Sequence, residues 1–330
     1  MSEQWSEVEV ASLTAKVKDL KLSMGRVIIG QDQVVEHLII CLLAGGHALV
    51  EGVPGLGKTL LVKSLAQATD MQFRRVQFTP DLMPSDIVGT EILEEDPATH
   101  QRVFRFQQGP VFTQVLLADE INRAPPKTQS ALLEAMQERA VTFAGQTYQL
   151  PKPFFVLATQ NPIEQSGTYP LPEAQLDRFL LRIDVVYPTE DEEVAMVAAT
   201  THAGLRDAVQ AMDLATLLRL QMLVRDIAIG DHLLRYATRL VRATRPADTT
   251  VAAIRKHVGW GAGPRAGQAL VLASKARALM QGRLAVTRED IGAMLLPVLA
   301  HRVLRNFEAE ADGVAIADIL ASLHSEIKVD

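Results

Sequence analysis

An α/β protein built on a parallel sheet with helices on both faces, followed by a helical second domain, is what this 330-residue sequence predicts. Three observations carry that expectation. Up to about Tyr187, short apolar runs alternate with segments of helical spacing, the pattern of strand–helix–strand units whose strands are buried on both faces. A glycine-rich loop, Gly52 to Thr59, joins the first such run to the first such helix. After Tyr187-Pro188 the chain becomes Ala-, Leu- and Arg-rich, with helical spacing and no convincing strand.

The expected strands are His47–Glu51, Val76–Phe78, Val115–Asp119, Phe154–Thr159 and Leu180–Val185, with helical segments such as Thr59–Ala68 and Thr128–Arg139 between them. Two hairpin-like insertions interrupt the alternation. The first covers about Ile87 to Phe106, where "RVFRF" alternates at strand period. The second is "RAVTFAGQTYQL", with Ala144-Gly145-Gln146 as the turn. Residues 1–187 are thus expected to form an αβα core carrying two hairpins, and residues 188–330 an all-helical domain. No repeat or low-complexity tract is evident.

Hydrophobic residues at 48% and charged residues at 22% are ordinary globular values and exclude wholesale disorder. Lys plus Arg number 33 against 39 Asp plus Glu, a formal net charge of −6. Non-specific nucleic-acid binding is therefore not the expected main role, a local basic surface aside. The single cysteine, Cys41, leaves no intramolecular disulfide or cysteine metal cluster, and reads as core packing in an apolar helix. The opening "MSEQWSEVEV" lacks the basic-then-apolar order of a signal peptide. The longest apolar stretch, near Leu38 to Leu43, is too short to span a bilayer. The expected setting is the cytoplasm. The histidines, among them His37, His47, His232, His257 and His301, have no paired metal spacing and read as structural.

The segment Gly52-Val53-Pro54-Gly55-Leu56-Gly57-Lys58-Thr59 matches G-x-x-x-x-G-K-[ST] at every fixed position, which points to a P-loop NTPase core. Its glycines let backbone N–H groups point at phosphate oxygens, Lys58 reaches the β- and γ-phosphates, and Thr59 can ligate Mg²⁺. Val53, Pro54, Gly55, Leu56, Gly57, Lys58, Thr59 and Leu60 are accordingly the candidate nucleotide contacts. The run "VLLADEINR" then explains itself. In a P-loop NTPase an acidic residue ends a second strand, expected beside the loop strand, and holds Mg²⁺; Asp119 is placed for that. Glu120, one residue on, is placed to orient or deprotonate the attacking water. The next apolar strand ends "ATQNP", setting Asn161 at the same sheet edge, where its amide suits the lytic water or a γ-phosphate oxygen. A turn-forming asparagine before Pro162 is the alternative.

The P-loop, "LLADEINRAPPKTQSALLEAMQE", "ATQNPIEQSGTYPLPEAQLDRF" and "GAGPRA" together resemble the MoxR family of AAA+ ATPases, with magnesium-chelatase ATPase subunits the nearest related group. The resemblance runs from about Val27 to Arg302, and "DEINRAPPKTQSALLEAM" is its most specific part. It implies an AAA+ core followed by a lid domain. "VIIGQ" resembles the adenine-side segment, so Ile28, Ile29 and Gly30 would flank the base, although Ile28 and Ile29 also read as core. Asn161 matches the sensor-1 position. Arg265 matches sensor 2, reaching back to the γ-phosphate. Arg178 in "LDRF" matches the arginine finger that acts on the neighbouring subunit's nucleotide, and Arg123 is a further candidate for action in trans. The two hairpins resemble the helix-2 and pre-sensor-1 inserts, which contact substrates or partners.

The resemblance further implies ATP and Mg²⁺ as cofactors, a homo-oligomeric ring, expected hexameric, and chaperone-like remodelling, maturation or metal loading of a client enzyme complex. The implied partner carries a von Willebrand factor A (VWA) domain. Two other functions compete: a nucleotide-gated switch with little turnover, and a nucleic-acid-dependent motor. One pattern stands outside the family motifs. Arg235, Arg239, Arg242 and Arg245 recur at helical spacing, and read as a solvated face, a subunit contact or, last, a nucleic-acid surface.

Overall fold

A computed structural model of the chain describes residues 5–53, 55–95, 100–161, 167–201 and 207–329. Two helices precede the sheet. Helix α1 (Glu7–Gly25) starts at Ser6, whose hydroxyl caps the Glu9 N–H at 3.2 Å, and α2 (Asp32–Leu43) buries Val34, Val35 and the whole run 38–43. A helix apolar on nearly every side must lie between layers, and α2 does. The chain continues through β1 (Ala48–Gly52), α3 (Lys58–Ala68), β2 (Phe73–Gln77), α4 (Pro84–Val88), the hairpin β3 (Gly89–Glu95) and β4 (Arg102–Gln108), and β5 (Val115–Asp119). Next come α5 (Pro126–Glu138), the hairpin β6 (Ala140–Phe143) and β7 (Gln146–Gln149), β8 (Phe155–Gln160), α6 (Glu173–Leu176) and β9 (Leu181–Val185).

Five of these strands pair in parallel in the order β2-β5-β8-β1-β9. The strand beside β1 is therefore β8, and the expectation that the acidic strand adjoins the loop strand is corrected. Strand β8 is buried without interruption from Phe155 to Thr159, which suits the middle place it takes. Alternate side chains feed two cores. Val115, Leu117, Phe155 and Leu157 face α1, α2 and α3, whereas Leu116, Ala118, Val156 and Ala158 face α4 and α5.

Both expected hairpins form. The β6–β7 turn places Ala144 (φ 47°) and Gly145 (φ 79°) in the left-handed region that a two-residue hairpin loop requires, and Gln146 already belongs to β7. The tip of the β3–β4 hairpin, 96–99, lies outside the described residues. Phe106 of β4 stacks on Phe143 at 4.9 Å and on Tyr148 at 4.5 Å, which ties the two hairpins together.

Beyond β9 lie α7 (Glu190–Thr201), α8 (Leu214–Asp226), α9 (Asp231–Arg242), α10 (Ala252–His257), β10 (Val258–Trp260), α11 (Pro264–Met280), α12 (Arg288–Leu299), β11 (Leu304–Arg305), α13 (Phe307–Ala311) and α14 (Ile316–Glu326). The antiparallel β10–β11 ribbon departs from an entirely helical expectation. Its strands, of 3 and 2 residues, are too short to leave a periodic signal. Within this part, the wholly buried Asp290 accepts from Arg277 at 2.6 Å and Arg283 at 2.7 Å while capping α12 with Thr287. Tyr236, Leu240, Leu270 and Leu295 join the same apolar core as α1 and α2.

Candidate functional site

Strand β1 delivers the chain to the carboxyl end of the sheet, where it turns back through Gly55 (φ 86°) and Gly57 (φ 74°), values a side chain resists. Gly57 is the N-cap of α3. No side chain caps that helix and its first turn holds no acid, so its leading N–H groups and dipole suit an anion. A cavity of about 490 Å³ opens in front of them, with Gly55, Gly57, Lys58, Thr59, Asp119, Glu120 and Asn161 all on its wall. The carboxyl ends of β1, β5 and β8 thus converge on one space, as ligand sites of open parallel sheets do.

Lys58 Nζ donates to the Gly52 carbonyl. Burial lowers its pKa, while Asp119, Glu120 and Glu51 push it back up. Burial also raises the pKa of Glu51, against the pull of Arg182 3.5 Å away. Asp119 Oδ1 accepts from the Thr159 hydroxyl at 2.6 Å, and its Oδ2 accepts from Arg75 at 2.7 and 3.1 Å. Glu120 adopts a left-handed backbone (φ 56°, ψ 50°) that a non-glycine residue takes at a cost. Its N–H donates to Thr159 Oγ1 at 2.8 Å, so one hydroxyl orients both acidic residues. The Glu120 carboxylate accepts from Gln77 at 2.8 Å and from Arg123 at 3.0 Å. Arg123, read as a residue reaching toward another subunit, is turned here to the glutamate of its own chain.

The other nucleotide-side positions divide. Gln31 Nε2 donates to the Leu56 carbonyl at 3.2 Å, bringing the 28–30 segment beside the loop. Ile28 is buried in the apolar core, Ile29 is half-buried, and Gly30 (φ 73°) lies under the Glu192 side chain. Leu56 is also buried, Val53 packs against the core, and Leu60 is exposed. Pro54 lies outside the described residues. Arg75, Gln77 and Thr159 went unread in the sequence. Their signal is strand alternation: Arg75 and Gln77 sit two apart on β2, opposite Leu117 and Asp119.

Arg178 and Arg265 are elsewhere. They share a second cavity, of about 250 Å³, with Arg139, Arg302, Gly46 and His47. His47 directly precedes β1, so this cavity lies at the amino end of the sheet, roughly 16 Å along a five-residue strand from the loop. Arg265 thus lines a different cavity from the phosphate loop of its chain. Ala266, Ala269, Leu270 and Ala273 bury the first half of α11 in the core with α2, which holds Arg265 there. Arg302 is buried, with a pKa lowered by that burial. It pairs with Asp177 at 2.7 Å and donates to the Phe179 and Leu180 carbonyls, fixing the turn that carries Arg178. Arg178 and Arg265 form no ion pair among the described residues, and the Nε of Arg178 is buried without a partner there. The only carboxylate lining this cavity is Asp177, already engaged by Arg302. The remaining excess of positive charge suits an anion brought from outside.

His47 and His301 are buried and bonded to backbone groups, and no cluster of metal-ligating side chains occurs among the described residues. No helix among those residues is long and apolar enough to cross a membrane.

Comparison with known proteins adds a family frame. The model of the ATPase family associated with various cellular activities (AAA) matches residues 47–181, and that of the AAA lid domain matches 251–323. The chain is 43% identical over 310 residues to Chaperone MoxR1 of Mycobacterium tuberculosis, covering 93% of this chain and 79% of that one. It is 33% identical over 306 residues to Protein MoxR of Paracoccus denitrificans, covering 88% of each. A crystal structure of a putative ATPase from Cytophaga hutchinsonii superposes with a TM-score of 0.91 at 39% identity, covering 98% of both chains.

Proposed function

Because the chain belongs to the MoxR family of AAA+ ATPases, we propose that it hydrolyses ATP with Mg²⁺ in a hexameric ring and uses the resulting motion to remodel a client protein. The convergence of Lys58, Thr59, Asp119 and Glu120 on one cavity carries this reading. Lys58 and the N-terminus of α3 would take the phosphates. Thr59 and Asp119 would hold the metal, and a hydroxyl and a carboxylate fit a hard divalent cation. Bound Mg²⁺ would neutralise phosphate charge. Glu120 would accept a proton from the attacking water, after its contacts to Gln77 and Arg123 loosen, with Asn161 beside it. Ile28, Ile29 and Gly30 would flank the base.

Arg178 and Arg265 would act on the nucleotide of the adjoining subunit. Their distance from the loop of their own chain and the uncompensated charge of their cavity support this. The boundary between core and lid would fall near residues 187 and 188. One relative is named a chaperone. For this chain, a client enzyme complex matured with a VWA-domain partner, in the cytoplasm, is the corresponding proposal.

Two variants test the chemistry. Glu120→Gln should bind ATP and Mg²⁺ as the parent does and release no phosphate, since only the proton acceptor is lost. Lys58→Ala should weaken ATP binding itself. Parent-rate hydrolysis by the first variant, or parent-like affinity in the second, would end these assignments. If the parent binds ATP and releases no phosphate at ring-forming concentration, the chain is a nucleotide-gated switch instead.

A further inference from the structure

Helix α7 is the least committed helix of the described residues. All four residues of its first turn, Glu190, Asp191, Glu192 and Glu193, are acidic; it has no base in its last turn, and none of its residues is buried. Val194 and Val197, one turn apart on the same face, are 64% and 59% exposed. Its acids and these two valines are left uncovered among the described residues.

A groove of complementary character lies between α9 and α11. It measures about 880 Å³, has Leu234, Val271 and Leu272 on its floor, and is rimmed by Arg225, Arg242 and Arg245. Two of those arginines belong to the second domain's arginine stripe. The groove is also continuous with the cavity of Arg178 and Arg265, since Gln268 and Leu272 line both.

The positions of helix and groove agree with a head-to-tail contact. Helix α7 leaves the carboxyl end of the sheet after β9, and Glu192 packs over Gly30 beside the nucleotide cavity. The groove adjoins the amino-end arginines. Two copies arranged so that Arg178 and Arg265 of one meet the nucleotide of the next would therefore bring the acidic helix of the second against the basic groove of the first. We propose that α7 docks in the α9–α11 groove of the adjoining subunit, its carboxylates against Arg225, Arg242 and Arg245 and its valines on the apolar floor. The proposal rests on the ring reading above and gives the arginine stripe a partner: a second copy of this chain. Opposite charge across such a contact sets register and speeds encounter.

Charge reversal tests it on the full chain with ATP and Mg²⁺, read by sedimentation velocity. Glu190→Lys with Asp191→Lys and Glu193→Lys leaves Glu192 on Gly30 and makes the helix cationic. Arg225→Glu with Arg242→Glu makes the groove anionic. Each variant should raise the concentration of half-assembly at least about tenfold. Their equimolar mixture should assemble near the parent's concentration, because every interface of an alternating ring then pairs opposite charges. Parent-like assembly of either variant overturns the proposal, as does a mixture that stays apart. If the groove variant does not fold, the helix variant alone decides. A labelled oligonucleotide that binds the parent and not the groove variant, with assembly unchanged, assigns the groove to nucleic acid and also overturns the proposal. Failure of the parent itself to assemble removes the ring and this contact together. Rescue of ATP hydrolysis between Lys58→Ala and Arg178→Ala subunits, with charge reversal lacking effect, removes this contact alone.

Discussion

At the scale of single residues, the geometry around Glu120 makes the sharpest demand. Its carboxylate is held by Gln77 and Arg123, and its N–H by Thr159. A hydrogen bond to a charged group contributes about 1.5–3 kcal/mol, so releasing Gln77 is part of the barrier that water activation must cross. Gln77→Leu should therefore hydrolyse ATP several-fold faster than the parent, with nucleotide affinity unchanged. A slower variant in a phosphate-release assay would mean that Gln77 aligns the carboxylate instead of restraining it. The sequence made Lys58, Thr59, Asp119, Glu120 and Asn161 legible as candidates because each belongs to a local pattern of fixed spacing. It hid Arg75 and Gln77 because their partners lie 44 and 43 positions away, and pairing of that kind is set by strand register.

Among elements, His47 is the pin. Its Nδ1 accepts from the Val156 N–H of β8 at 3.0 Å, its Nε2 faces the Met136 carbonyl of α5 at 3.3 Å, and its own carbonyl accepts from the Leu180 N–H at 2.7 Å. Burial pushes its pKa down from 6.5 to about 4. The folded value lies below the unfolded one, so the unfolded chain takes up the proton more readily. The neutral ring's contribution is complete above pH 6.5 and is lost as the pH falls toward 4, a change of about 3 kcal/mol. Denaturant midpoints of the parent should fall across that window. In His47→Gln the same stretch should be flatter by that amount; equal slopes would show that another group carries the acid sensitivity. The five strands were legible because each has an apolar run. Only β2 starts well before its expectation, at Phe73, because it is an edge strand whose Arg74 and Arg75 are exposed and mask the pattern. Helix α1 went unread, although Val10, Leu13, Val17, Leu20 and Met24 form one buried stripe at helical spacing.

For the whole molecule, the separation of the two cavities decides what a subunit can do alone. If Arg178 serves a neighbour, Arg178→Ala should keep nucleotide affinity and lose at least tenfold in rate, a conservative figure beside the roughly 10³–10⁵ supplied by arginine fingers in GTPases. Mixed with Lys58→Ala subunits, which have the arginine and a damaged pocket, it should recover part of the lost activity. No recovery in a mixture shown by native mass spectrometry to exchange subunits would assign Arg178 to its own chain or to structure. The end of the sheet that each arginine occupies was not legible, since sequence spacing carries no information about which way α11 runs against α2. The parallel sheet itself has a further consequence. Its strands share one direction, so its two edges can never be equivalent, and on the proposed reading a copy meets the next by unlike surfaces, a heterologous contact that closes into a ring or runs on as a filament. A molecule diluted away from its neighbours keeps a pocket and loses the arginines, so turnover per chain should climb with abundance. The polarity of five strands would make the protein a gauge of its own concentration.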